Sequence, residues 1–435
     1  MLRLANGQKI SVSQDLIDRA MKKMYRFLQN TKRLRSISVK FLALFISYAL
    51  LSPIVLRPCT IAVVSGSVTL DGRPLLWKNR DVTDQNNVVR YFYGERYPFI
   101  GITQAGDHER VYAGINTEGF AILNSVSYDL EGDGDTDHGR FMKRALEECV
   151  TVEDFEMLLI ETNGGRRKTQ ANFGIIDALG NAAIFETANT SYTRFDASHA
   201  PDGFVVRTNF AMTGVKEEMG GGYERFVRAN ELFEEGATSK NLSHEYILVK
   251  VARDLVNESI DPYPLPFEGS QNGHTRGYIH TNYSINRFRT ASSLVIHGVL
   301  LVEDPGLSTM WCIMGEPVCG IAIPLWVHAR SVPYVMEGNY TSPMRDAVKL
   351  KESQCYSDPL SDRYINTYEL VDESGKGILP YVRTLENEIF KKTEKTLQTW
   401  RQSFPSSSDI KNFQEDQTFW AYMRYSKQKS GYTIR

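Results

Sequence analysis

The order of patterned segments from Cys59 onward constrains this chain most: hairpins, then helices, then hairpins again, with no strict alternation of strand and helix. CTIAVVSG and SVTLDGRPLLWKNRD (59–81) are β-rich runs joined at Asp71-Gly72, a hairpin turn signal. VYAGINTEGFAILNSVS (111–127) repeats the design around Asn116–Gly119. FMKRALEECV and TVEDFEMLLIET (141–162) carry apolar residues at helical spacing, with Thr151 as an N-cap ahead of Glu153 and Asp154. NFGIIDALGNAAIFET (172–187) reads as a hairpin and FVVRTNF (204–210) as a strand. YERFVRANELFEEG (223–236) and EYILVKVARDLVN (245–257) read as helices, and residues 290–303 and 309–327 return to strand. This order predicts α+β layers with antiparallel sheets. ILPYVRTLENEIFKKTEKTLQTW and IKNFQEDQTFWAYM, joined by the polar FPSSSD, predict a helical extension over 341–435, packed on a body spanning 59–340.

Residues 1–58 differ in kind. They hold eleven Lys and Arg against Asp15 and Asp18, a net +9 in a chain whose total is -2, so the remainder is acidic. An acidic body lacks the basic stripe that phosphate backbones need, which argues against a nucleic-acid partner. Lys32, Arg33, Arg35 and Lys40 precede FLALFISYALLSPIVL (41–56), shorter than the roughly 20 apolar residues of a spanning helix. The pattern predicts a leader over 1–58 that is removed on export, a retained membrane anchor through 41–56 being the alternative. The only membrane contact expected is through this leader. Five cysteines, Cys59, Cys149, Cys312, Cys319 and Cys355, leave one thiol over in an exported protein; the spacing of Cys312 and Cys319 does not decide whether they pair. DLEGDGDTDHGR (129–140) imitates a calcium loop but puts Arg140 where the bidentate Glu belongs, so an acidic surface loop is expected and no metal.

Cys59 follows the leader directly. A thiol is a useful nucleophile when a base removes its proton, and no His lies near it in sequence. Cleavage before Cys59 would supply the base as a free α-amino group, whose ordinary pKa is about 8. The competing reading of Cys59 is a small buried hydrophobe at a strand start.

CT at 59–60, KNRD at 78–81, GINTEGFAILNSVS at 114–127, VRTNF at 206–210, YERFVRA at 223–229, RTASSLVIHGV at 289–299 and MWCIMGEPVCGIAIPLWV at 310–327 stand in register. In that order the chain resembles the N-terminal-nucleophile (Ntn) cysteine amidohydrolases, the choloylglycine hydrolase, acid-amidase and penicillin acyltransferase-like group, over about residues 59–340. The resemblance implies a four-layer αββα sandwich and hydrolysis of a carbon–nitrogen bond in a small linear amide, without a cofactor. Cys59 would be the nucleophile and Asp81 would hold the α-amino group. The backbone N–H of Asn124 and the side chain of Asn209 would form the oxyanion hole. Arg225 would stand near the nucleophile, with Arg228 one turn on as its competitor, and Lys78 and Arg80 would bind substrate. Two departures matter: Lys78 stands where bile-salt hydrolases and acid amidases carry Arg, and Arg80 fills a usually apolar slot. The alternatives are an acyltransferase using the same acyl-enzyme and a catalytically silent envelope binding protein.

Overall fold

Antiparallel pairing builds two large sheets and the helices cover their outer faces. The computed structural model describes residues 58–132, 134, 136–165, 167–215, 221–357 and 363–427, with the backbone of 2–3 and 9–10. Residues 1–55 form a unit of their own, in which Leu2–Arg3 pairs antiparallel with Lys9–Ile10. The apolar run of the predicted leader lies outside the described residues. Among those described, no helix is long and apolar enough to cross a membrane.

In residues 56–435 the strands are β1 (Cys59–Val64), β2 (Leu75–Asp81), β3 (Asn87–Phe92), β4 (Phe99–Gln104), β5 (Ala113–Asn116) and β6 (Ala121–Val126). They continue as β7 (Ala171–Ile176), β8 (Ala182–Thr187), β9 (Tyr192–Asp196), β10 (Phe204–Arg207), β11 (Tyr278–His280), β12 (Thr290–His297), β13 (Thr309–Met314), β14 (Ala322–Leu325) and β15 (Tyr364–Asn366). One sheet has seven strands in the order β9-β8-β7-β6-β5-β4-β3; the other has six, β10-β1-β2-β12-β13-β14. The segments patterned in the sequence assign no element to residues 84–110. NVVRYF and FIGITQ instead extend the seven-stranded sheet to its edge.

The sheets stack face to face. Gly174 on β7 meets Val63 of β1 and Leu76 of β2, and a Cβ there would come within 2.9 Å of the Val63 side chain, so the close approach demands glycine. All seven residues of β2, LLWKNRD, are buried, as a central strand between two covered faces requires. Helices α1 (His138–Glu148) and α2 (Val152–Asn163) cover the seven-stranded sheet, packing Met142, Leu146, Phe155 and Leu159 on Phe99, Ile122, Phe173 and Phe185. Helix α3 (Tyr223–Thr238) lies on the six-stranded sheet, with Phe233 5.7 Å from Trp77 and 5.5 Å from Phe204 between ring centroids. Helix α5 (Ile378–Gln402), which follows α4 (Pro343–Cys355), sets Phe390 5.0 Å from Trp311; α6 (Ser407–Tyr425) packs beside it. The result is the four-layer αββα sandwich that the resemblance implies, with the C-terminal helices that the sequence pattern predicts.

The segment read as a helix over 245–257 is shorter and differently wound: His244–Tyr246 runs into a π-helical Ile247–Val251 and stops. All five cysteines are free buried thiols. Cys319 lies 3.7 Å from Cys355 across the β13–β14 connection and α4, while the sulfur of Cys312 meets that of Met314 at 3.6 Å.

Candidate active site

The first residue of β1 pairs with the polar end of β2. The register Cys59↔Arg80 and Thr60↔Asn79 sets the cysteine beside KNRD, where four consecutive polar residues are buried. Burying such a run is costly unless each group finds a partner, so its partners define the site. Asn79 Nδ2 donates to Ala252 O at 2.9 Å and Ile285 O at 3.2 Å, a bond pair that fixes the strand end.

Cys59 is 5% exposed. Its main-chain N–H donates to Asn209 Oδ1 at 2.8 Å. The Arg225 guanidinium binds both residues: one terminal nitrogen donates to Cys59 O and Thr60 Oγ1, each at 2.7 Å, and the other to Asn209 Oδ1 at 3.0 Å. Asn209 Nδ2 gives one hydrogen to Val126 O at 2.9 Å, tying the end of β10 to the end of β6. Arg228 turns elsewhere, to Asp254 at 2.9 Å and Glu231 at 3.1 Å, so of the two arginines it is Arg225 that stands beside Cys59.

Lys78 reaches across to the facing sheet, donating to Asn124 Oδ1 at 2.9 Å and Tyr112 O at 2.8 Å. Burial pulls its ammonium down to about 8, against the upward pull of Cys59 and Asp81, while Arg80 pushes it lower. Arg80 donates to Asn87 Oδ1 at 3.0 Å and stacks its guanidinium 4.0 Å over the Tyr112 ring.

Asp81 is fully buried. Its Oδ1 accepts from Thr290 Oγ1 at 2.7 Å, whereas Oδ2 has no hydrogen-bond partner and faces Arg287 at 3.8 Å. Burial pushes the carboxyl above its usual range despite Arg287, Arg225, the Thr290 hydroxyl and Lys78; burial likewise lowers Arg287 to about 10. Both groups shift toward their neutral forms, the mark of desolvation outweighing attraction. A negative charge developing beside Cys59 would thus meet three buried cations: Lys78, Arg225 and Arg287.

Sequence reasoning missed Thr60, Arg287 and Thr290. Strand alternation puts Thr60 on the face opposite Cys59, toward α3, a detectable signal once Arg225 is suspected. Arg287 gave no such signal, because Arg289 stands two residues on and only the fold shows which meets Asp81. A cleft of about 600 Å³ opens next to Val126, walled by Tyr128, Leu130, Glu131, Gln170 and Val215. The loop that imitates a calcium site forms one wall; its Asp129 is buried and accepts from Ser127 Oγ and Ala211 N. Among the described residues no cluster of acidic, His or Cys side chains is suited to a metal.

No family model and no curated protein matches the sequence. Solved hydrolases do resemble the chain. They include a conjugated bile acid hydrolase from Clostridium perfringens, at 14% identity over 59% of this chain and 89% of that one, with a TM-score of 0.36. An ortholog of N-acylethanolamine-hydrolyzing acid amidase from Caenorhabditis elegans matches at 15% identity over 57% of this chain and 93% of that one, TM-score 0.36. A penicillin V acylase from Agrobacterium tumefaciens matches at 15% over 62% and 86%, also with a TM-score of 0.36.

Proposed function

We propose that this protein is an amidohydrolase of the N-terminal-nucleophile type, in which Cys59 becomes the first residue and attacks a linear amide. The observation that carries the reading is the bond from Cys59 N to Asn209 Oδ1 at 2.8 Å, with Arg225 braced on both residues. The nitrogen that would become the α-amino group already has a fixed acceptor. Once free, that amine would take the thiol proton through a water as sulfur bonds to the amide carbon. The carbonyl electrons move to oxygen, and the donors proposed for that oxyanion are the Asn124 backbone N–H and Asn209 Nδ2. One such donor contributes about 3 kcal/mol. Collapse expels the amine, which takes the proton from the α-ammonium. Water then cleaves the thioester, releasing a carboxylic acid and restoring the thiol. Asp81 would steady the charged amine, and Lys78 and Arg80 would meet the polar part of the substrate. Export and loss of residues 1–58 belong to the same proposal, because the nitrogen is an amide until the chain is cut before Cys59.

The test is expression of the whole gene followed by intact mass and N-terminal sequencing. The expected product begins Cys-Thr-Ile-Ala, and Cys59→Ala should abolish amidase activity on N-acyl p-nitroanilides. A folded product that keeps residues 41–58, or a Cys59→Ala variant with wild-type turnover, would overturn the reading.

A further inference from the structure

Strand β10 makes its last rung at Arg207↔Ile61, so Asn209 lies two residues beyond the ladder and the sheet does not hold its main chain. Something else must, since its Oδ1 fixes Cys59 N. Asn172, on β7 of the facing sheet, is fully buried with its Nδ2 3.3 Å from Thr208 O and 3.0 Å from Phe210 O. These carbonyls immediately precede and follow Asn209. Ser125 Oγ is a third acceptor at 3.2 Å, and Asn172 Oδ1 has no partner, so the side chain works there as a donor. The N–H groups that follow are taken by carboxylates: Ala211 N by Asp129, and Met212 N and Thr213 N by Glu186.

We infer that Asn172 is a positioning residue that sets Asn209 against Cys59 by strapping both flanking carbonyls to the opposite sheet. A neutral side chain with two hydrogens on one nitrogen suits this place. Asp would set oxygen against two carbonyls, and Ala would leave both carbonyls buried without that donor. The inference rests on the proposed roles of Cys59 and Asn209.

The experiment compares Asn172→Ala, Asn172→Asp and Asn172→Gln with Cys59→Ala in the mature protein. It reads kcat and KM on N-acyl p-nitroanilides, the rate of Cys59 alkylation by iodoacetamide against pH, and Tm. A misplacement of about 1 Å costs on the order of 100-fold. Asn172→Ala and Asn172→Asp should therefore lose about 100-fold in kcat with KM within about threefold. They should also displace the pH profile of alkylation, while Asn172→Gln, which keeps the donors, recovers part of kcat. If Asn172→Ala does not fold, the kcat and alkylation profile of Asn172→Asp, which removes the donor at nearly the same volume, decide: an unchanged profile with full kcat counts against the inference. Lowered Tm with kcat and profile intact would make Asn172 merely structural and overturn it. If Cys59→Ala stays active, the functional reading itself fails; if Cys59→Ala is inactive and Asn172→Ala is not, only the strap fails.

Discussion

Lys78 is a cation held where a cation is expensive, fully buried between the sheets with Asn124 and Tyr112 O as its partners. Its proton comes off near 8, against an ordinary 10.5, because burial outweighs Cys59 and Asp81. The sign has two opposite consequences. Between about 8 and 10.5 the unfolded chain keeps a proton that the folded chain has released, so the cost of burying this cation is progressively relieved and stability rises with pH through that window. Any step that uses its charge weakens over the same interval. The alkaline limb of kcat/KM should accordingly fall near pH 8 in the native protein and move upward in Lys78→Arg, whose guanidinium stays charged. An unmoved limb in a folded, active Lys78→Arg would remove Lys78 from the charge balance of the reaction. Legibility at this scale followed chain locality. Cys59, Asn209 and Arg225 each sit in a short motif at a strand or helix terminus. Thr60, Asn172 and Arg287 look like ordinary strand or loop residues until the fold sets them against partners far away in sequence.

Elements were legible where local chemistry fixes them. Thr151 opens α2 as read from sequence: its hydroxyl accepts from Asp154 N at 3.0 Å, and the Asp154 carboxylate accepts from Thr151 N at 2.9 Å and Val150 N at 2.8 Å. Thr151→Ala removes half of this capping box and should cost about 1 kcal/mol, with Thr151→Ser near native. Urea denaturation checks it; an Ala variant as stable as native would mean the carboxylate alone holds the cap. The helix read over 245–257 failed for a tertiary reason. Ile247, Leu248, Val251 and Ala252 are buried as an amphipathic helix would have them, but Arg253 is drawn to Glu386 and Asp254 to Arg228. Those ion pairs lie just past Val251, where the helical run stops short of the Asn257 that periodicity would have reached. Strands β3 and β4 escaped notice because Asp84, Gln85, Asn86 and Asn87 at one end, and Gly94 and Pro98 between them, read as punctuation.

At the scale of the molecule, the C-terminal helices complete the core. Val382, Leu385, Ile389 and Phe390 of α5 belong to the same buried cluster as Trp311, Ile313 and Ile323 of the six-stranded sheet. Glu386, fully buried on α5, accepts from both terminal nitrogens of Arg253, at 2.8 Å and 2.6 Å, and from Ala322 N at 2.8 Å. Arg253 in turn donates to Pro317 O at 2.7 Å, and Tyr425 of α6 bonds Cys319 O, so the helices grip the β13–β14 connection from two sides. Removing one partner of a buried pair leaves the other charged and dry, a loss of about 3–5 kcal/mol. Glu386→Ala should lower unfolding stability by about that amount, whereas Glu386→Gln, which still offers an acceptor to Ala322, should lose less. A chain ending at residue 340 removes the carboxylate and the apolar cover of Trp311 together. It should therefore be recovered only as aggregate, and a soluble, cooperatively melting 59–340 fragment would show that the sheets hold without α5.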